Sequence, residues 1–210
     1  MRKKMIWLII PGALILGAAL WGPLMSNVEQ AQYTVVETKN SIEIRDYAPK
    51  IIAQADVSGE RKEAISDGFR IIADYIFGNN ISSQKVAMTA PVMQQQQSEK
   101  IAMTAPVMQA GGDNQWQVAF VMPDEYTMGT LPKPNNEHVK LIEVPAKRFA
   151  VIRFKGLAGE ESLNVHSEKL GAYIKGHNLN AISAPIYAFY NPPWTLPFMR
   201  RNEVMIEISK

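Results

Sequence analysis

Hydrophobicity changes period several times along the chain. Residues 5–25 carry no charge, and the first charge after Lys4 is Glu29. A helix over these 21 residues would be about 30 Å long, the hydrocarbon thickness of a bilayer. Arg2, Lys3 and Lys4 precede it, which by the positive-inside rule keeps the N-terminus cytoplasmic and exports the rest. Trp7 and Trp21 lie near its two ends, where interfacial aromatics collect. The segment reads as an uncleaved signal-anchor. The alternative is a cleaved signal peptide, although Glu29 then occupies the −3 position before Ala31. The expected layout is a basic cytoplasmic segment 1–4, a transmembrane anchor 5–25, a linker 26–32 and a domain 33–210. That domain would be membrane-anchored on the exported side, facing the periplasm in a Gram-negative cell, or secreted after cleavage.

Beyond the linker the period drops to two. Residues 34–38, 42–47 and 50–58 are short, rich in Val and Ile, and split by Lys39-Asn40 and Pro49, so they predict strands. Residues 115–122 place Trp116, Val118, Phe120 and Met122 on one side. Strands are also expected at 149–155, 186–190 and 203–209. Two stretches switch to a helical period. Ile65, Phe69, Ile72 and Ile76 form one stripe of a helix over 60–77, with Gly78 as its stop. Leu163, Leu170 and Ile174 do so over 159–175, with Gly176 ending it.

Two repeats organise this pattern. At a shift of about 100 residues, Ile42-Glu43-Ile44 recurs as Ile142-Glu143-Val144 and Gly59-Glu60 as Gly159-Glu160. Each copy leads into a helix. Two copies imply a pseudo-two-fold domain, since a solenoid needs more. The shorter repeat is near-identical: 85–94 and 100–109 differ only in Val86 against Ile101. Two extended copies with a polar spacer predict a hairpin, in which Pro91 and Pro106 sit where no N–H is needed.

Composition narrows the chemistry. The chain is 47% hydrophobic and 20% charged, a globular balance that excludes general disorder. Cysteine is absent, which removes disulfides, thiolate metal sites and Cys nucleophiles. The formal charge is +2, and Arg2, Lys3 and Lys4 supply three of the positives, so no basic surface speaks for nucleic acid. There are three histidines. His138 falls in a polar loop, His177 at a helix end, and His166 beside the apolar stripe as a structural boundary residue. Met88, Met93, Met103 and Met108 recur in the short repeat and read as soft interior packing, although a thioether can also ligate haem iron or Cu(I). No carboxylate cluster, phosphate loop or nucleophile elbow appears, so a non-enzymatic role is expected.

Two long motifs carry a resemblance. Lys100-Ile-Ala-Met-Thr-Ala-Pro-Val107, with its near copy, and Tyr190-Asn-Pro-Pro-Trp-Thr-Leu-Pro-Phe-Met-Arg-Arg-Asn-Glu-Val204 are similar to those of the SOUL haem-binding protein family. The likeness covers about residues 33–209 and identifies the chain as a bacterial, membrane-anchored member. It implies an α+β fold: a distorted antiparallel β-barrel of about eight strands with two flanking helices, built from two similar halves. It implies reversible binding of haem or a related tetrapyrrole in a hydrophobic surface groove, for buffering or transfer, with no assigned axial ligand and no metal site. By aligned position that groove has Ser66, Phe69 and Ala73 on its helix side and Trp194 and Phe198 on its loop side. This chain departs from the family where longer Met and Arg side chains can stand on the helix. Arg70, Arg200 or Arg201 would then meet the carboxylates, unless Arg200-Arg201 is a structural pair at a strand entrance. Burying most of a macrocycle at about 25 cal/mol per Å² yields roughly micromolar binding without an iron ligand. The same architecture resembles effector-binding domains of bacterial regulators. An effector-binding or protein-interaction module with no haem role is therefore the alternative.

Overall fold

The computed structural model describes residues 28–82 and 98–210. The expected anchor 5–25 and the first short repeat 85–94 lie outside the described residues. Among the described residues, no helix is long and apolar enough to cross a membrane. In chain order the elements are β1 (Tyr33–Lys39), β2 (Ile42–Tyr47), β3 (Lys50–Ser58), α1 (Arg61–Ile76), β4 (Asn80–Ile81), β5 (Val107–Gly112) and β6 (Gln115–Val121). They continue with β7 (Lys133–Pro134), β8 (Lys140–Val144), β9 (Lys147–Phe154), α2 (Glu160–Gly176), β10 (Ile186–Phe189) and β11 (Asn202–Glu207).

Nine strands form one curled antiparallel sheet in the order β1-β2-β9-β11-β10-β5-β6-β3-β8. This corrects the expected count of about eight and opens the barrel into a half-barrel edged by β1 and β8. β4 and β7 pair separately. The order is symmetric about the β5–β10 junction, apart from the extra edge strand β1. β2 of the first half pairs with β9 of the second, and β8 of the second pairs with β3 of the first. The registers correspond at a shift of 100. Ile42 faces Ile152 while Ile142 faces Ile52, and Glu43 faces Val151 while Glu143 faces Ile51. The long sequence repeat is thus a reciprocal exchange of strands between halves.

Strand alternation sorts the side chains between two faces. On the outer face, α1 covers Ala53, Ala55, Val118 and Phe120, and α2 covers Ile44, Ala150, Ile152 and Val204. On the inner face Tyr47, Ile52, Ala119, Phe149, Val151 and Met205 form one cluster. Its members come from strands far apart in the sheet order, which requires the curl. The buried line of α1 runs through Ala64, Gly68, Ile72 and Ile76, so Phe69 lies at its border, 38% exposed. Small residues let the helix approach closely: a Cβ on Gly68 would stand 2.5 Å from Val118. Gly78 (φ 122°) ends α1 as expected, with Asn79 N–H donating to Asp74 C=O. α2 does not stop at Gly176. It takes that residue in, and Asn178 (φ 54°) supplies the left-handed turn, with Leu179 N–H donating to Ile174 C=O.

The first arm of the expected hairpin, 85–94, lies outside the described residues. Of residues 100–109, the last three enter β5, which pairs with β6 and β10 on its two sides. Asp113 and Asn114, both left-handed, make the hairpin turn to β6. Upstream, Ile101 N–H donates to Ile76 C=O, Ala105 N–H to Glu29 C=O, and the Thr104 hydroxyl to Val121 C=O. These bonds tie the segment to α1, to the stretch before β1 and to β6. Met103 is exposed and Met108 half-buried, so the repeated methionines do not share one interior role.

A charged network crosses the inner face. Arg45 on β2 is 1% exposed and donates twice to Glu203 on β11, itself 0% exposed, at 2.9 and 3.1 Å. Arg201 adds bonds of 2.7 and 2.9 Å, and the Tyr190 hydroxyl one of 2.8 Å. Burial alone would raise the Glu203 carboxyl, but hydrogen bonds from Arg45 and the charges of Arg45 and Arg201 hold it below the usual range.

Glu203→Ala leaves buried Arg45 with Glu43 as its one remaining carboxylate partner and Arg201 with none among the described residues, and is expected to cost roughly 3–5 kcal/mol in denaturant unfolding. The double variant Arg45→Met/Glu203→Leu should recover most of that loss; no recovery would mean that packing, not charge, holds the site. Gly68→Ala gains helix propensity yet should lower stability by about 1–3 kcal/mol through overpacking against Val118. A rise in melting temperature would show that α1 can move outward freely.

Candidate binding surfaces

The loop between β10 and β11 is pinned at both ends. Tyr190 N–H donates to Arg201 C=O at 3.2 Å, and Asn191 Oδ1 accepts from Arg201 N–H at 2.6 Å. Arg200 closes the loop on itself, donating to Thr195 C=O at 2.7 Å and to Pro193 C=O at 2.5 Å. Within this frame a short 3-10 turn (Pro197–Met199) projects its side chains outward. Trp194 is 64% exposed and Phe198 66%, with Leu196 exposed between them. Gly156 N–H donates to Pro197 C=O at 2.9 Å, which brings exposed Leu157 beside the loop. Such a concentration of exposed apolar side chains marks an interaction surface.

Behind this ridge lies a cavity of about 290 Å³, lined by Gln30, Arg153, Tyr190, Thr195, Met199 and Arg201 among others. Thr195 is 3% exposed, and its hydroxyl has no hydrogen-bond partner among the described residues. Arg201 is committed to Glu203, to Gln30 at 3.1 Å and to the face of Tyr190 at 3.8 Å. Arg200 and Arg201 are therefore the structural pair, not free cations. The Arg153 guanidinium has no such commitment among the described residues.

The five expected site residues fall into two groups. Ser66, Phe69 and Ala73 share α1, and Trp194 and Phe198 share the loop. Phe69 leans on Phe120, ring centroids 5.3 Å apart. Ala73 is buried, and the Ser66 hydroxyl donates back to Lys62 C=O at 3.1 Å. Among the described residues no direct hydrogen bond or ring contact joins the groups. They are linked through Ala158, whose C=O accepts from Arg61 at 3.3 Å, about 12 Å along α1 from Phe69. Arg70 pairs on the surface with Asp67. His166 stacks on Phe154 at 4.0 Å and bonds Ser162 C=O, a boundary residue as expected. Among the described residues no three His, Asp or Glu side chains cluster as metal ligands.

Sequence reasoning did not find a second surface. The inner face opens into a cleft of about 270 Å³, with Tyr47, Ile52, Met108, Phe149, Ile186 and Met205 among its walls and Lys50 and Lys147 among its polar lining. It shares Lys50, Val144 and Pro145 with an outer cavity of about 620 Å³. Lys50 opens β3 after Ala48-Pro49, and Lys147 opens β9 after Pro145-Ala146. Burial pushes the Lys50 ammonium down to about 8, with the Lys147 charge adding to the effect.

No curated protein matches this chain. Solved structures show the fold. The C-terminal domain of EcmrR aligns with a TM-score of 0.56 at 12% identity, covering 85% of this chain and 98% of that one. A hydrolase from Listeria innocua aligns at 0.51 and 13%, covering 83% and 94%. An uncharacterized conserved protein from the same organism aligns at 0.52 and 13%, covering 81% and 93%. At these identities the likeness speaks for architecture alone. The family model for SOUL heme-binding protein matches residues 28–207, nearly the whole described region, and the chain belongs to that family.

Proposed function

We propose that this protein binds haem or a related tetrapyrrole reversibly and without catalysis, as a store or carrier. Family membership supports the ligand class. The observation that carries the reading is the pinned β10–β11 loop, which holds Trp194 and Phe198 open to solvent beside the Arg153 cavity. A flat apolar macrocycle needs an aromatic surface and cations at its rim for its carboxylates. Trp194 and Phe198 supply the first. Arg153 supplies the second, and the Thr195 hydroxyl, without a partner among the described residues, is a neutral donor beside it. Phe69 would form the opposite wall from α1, with Ser66 and Ala73 contributing little because one is turned to its own helix and the other is buried.

A second reading, an effector-binding module, is favoured by the inner cleft, whose walls come from both halves and stand apart from the loop. For either reading we place the domain on the exported side of a membrane, tethered by residues 5–25; their charge-free run supports this.

Titration of the protein with haemin, followed in the Soret band, tests the first reading. Trp194→Ala and Phe198→Ala should each weaken binding about tenfold or more, and Phe69→Arg should do the same if α1 forms the far wall. Unchanged affinity in both loop variants would overturn the site. For the tether, the full chain should stay with membranes through an alkaline wash; its release into the supernatant would refute the anchor.

A further inference from the structure

The inner cleft carries an imbalance of charge. Two ammonium groups, Lys50 and Lys147, and one carboxylate, Glu207, stand among apolar walls. Lys147 donates to Glu207 at 2.7 Å and is thereby neutralised. Lys50 is half-buried, and among the described residues no carboxylate reaches it. Its contact is the face of Tyr47, 4.4 Å from the ring centroid. Asp124 and Glu143 line the outer cavity without pairing with it. Asp124 instead accepts from Gln32 at 2.7 Å. A desolvated cation without a paired carboxylate is unfavourable until a counter-ion arrives. The neighbouring hydroxyl of Tyr47, raised to about 12 chiefly by burial, stays protonated and cannot serve as one. The lowered Lys50 still carries a proton in most molecules at neutral pH.

We propose that the cleft binds a small amphipathic carboxylate, its apolar body against Tyr47, Phe149 and Met205 and its carboxylate on the Lys50 ammonium. The volume, about 270 Å³, falls just below the range of about 300–1,000 Å³ usual for ligand pockets. It suits a body of one or two rings and not a macrocycle. Lys50, Val144 and Pro145 line both this cleft and the outer cavity, so the ammonium borders the two. This inference rests on the effector-binding reading and is independent of the tetrapyrrole one.

The test is calorimetric titration of the full chain at neutral pH with naphthalene-2-carboxylate, naphthalene-2-methanol and naphthalene-2-methylammonium. The carboxylate should bind at least tenfold more tightly than the alcohol, and the ammonium most weakly. Lys50→Met keeps the apolar stem and should bring the carboxylate down to the alcohol's affinity. Unchanged alcohol binding in that variant shows that the cleft is intact. Lys50→Arg should restore the preference, and Trp194→Ala should not alter it. Equal binding of the three probes, preference for the ammonium, or full carboxylate affinity in Lys50→Met would overturn the anion assignment while leaving a binding cleft. No binding of any probe at millimolar concentration would overturn the effector reading as well.

Discussion

The Glu203 carboxylate lies out of water and accepts five hydrogen bonds from Arg45, Arg201 and Tyr190. Much else depends on this junction. Arg45 reaches it from β2, which is separated from β11 by β9, so the bond braces three strands across the inner face. A buried pair of this kind adds little stability over an apolar substitute, but losing one member is costly. Its value here is positional. Tyr190 and Arg201 are also the residues that close the β10–β11 loop. The same carboxylate that fixes the sheet therefore fixes the base from which Trp194 and Phe198 project.

The junction also decides which cations remain for a ligand. Arg201 gives its charge to Glu203, and Arg200 gives its donors to loop carbonyls. Near the loop that leaves Arg153, and in the cleft it leaves Lys50. The two surfaces differ in character. One is an exposed aromatic ridge beside a polar cavity. The other is a recessed apolar cleft with, among the described residues, a single ammonium that no carboxylate pairs. They are carried by opposite kinds of structure: a surface loop in the first case, and strands from both halves in the second.

The elements were legible because each is governed by local rules. Alternation located β2 and β3, and the 3.6-residue period located both helices. The stripe through Ile65 and Phe69 was less secure, because Ala64 and Gly68 are too small to register as hydrophobic signals, yet they set the closest approach of α1. At the second helix, Gly176 drew attention as a stop, but asparagine two residues later does that work with its own left-handed backbone. At the short repeat, the end of the second copy enters β5 between β6 and β10, a pairing that the likeness of the two copies does not encode. The cleft was invisible because Lys50 and Lys147 are far apart in the chain and meet only through the strand exchange. Of the expected site, Trp194 and Phe198 stand open, whereas Ala73 is covered.

That exchange constrains how such a chain could have arisen. Cut after β6, the first half would hold β3 without β8 and β2 without β9, two open edges seeking strands of matching register. A second copy of the same half would offer them, since the registers correspond at a fixed offset. The present molecule has the geometry of an intertwined dimer whose two subunits were fused end to end. Neither half completes its sheet alone, and a cleft walled by both belongs to the union rather than to either parent.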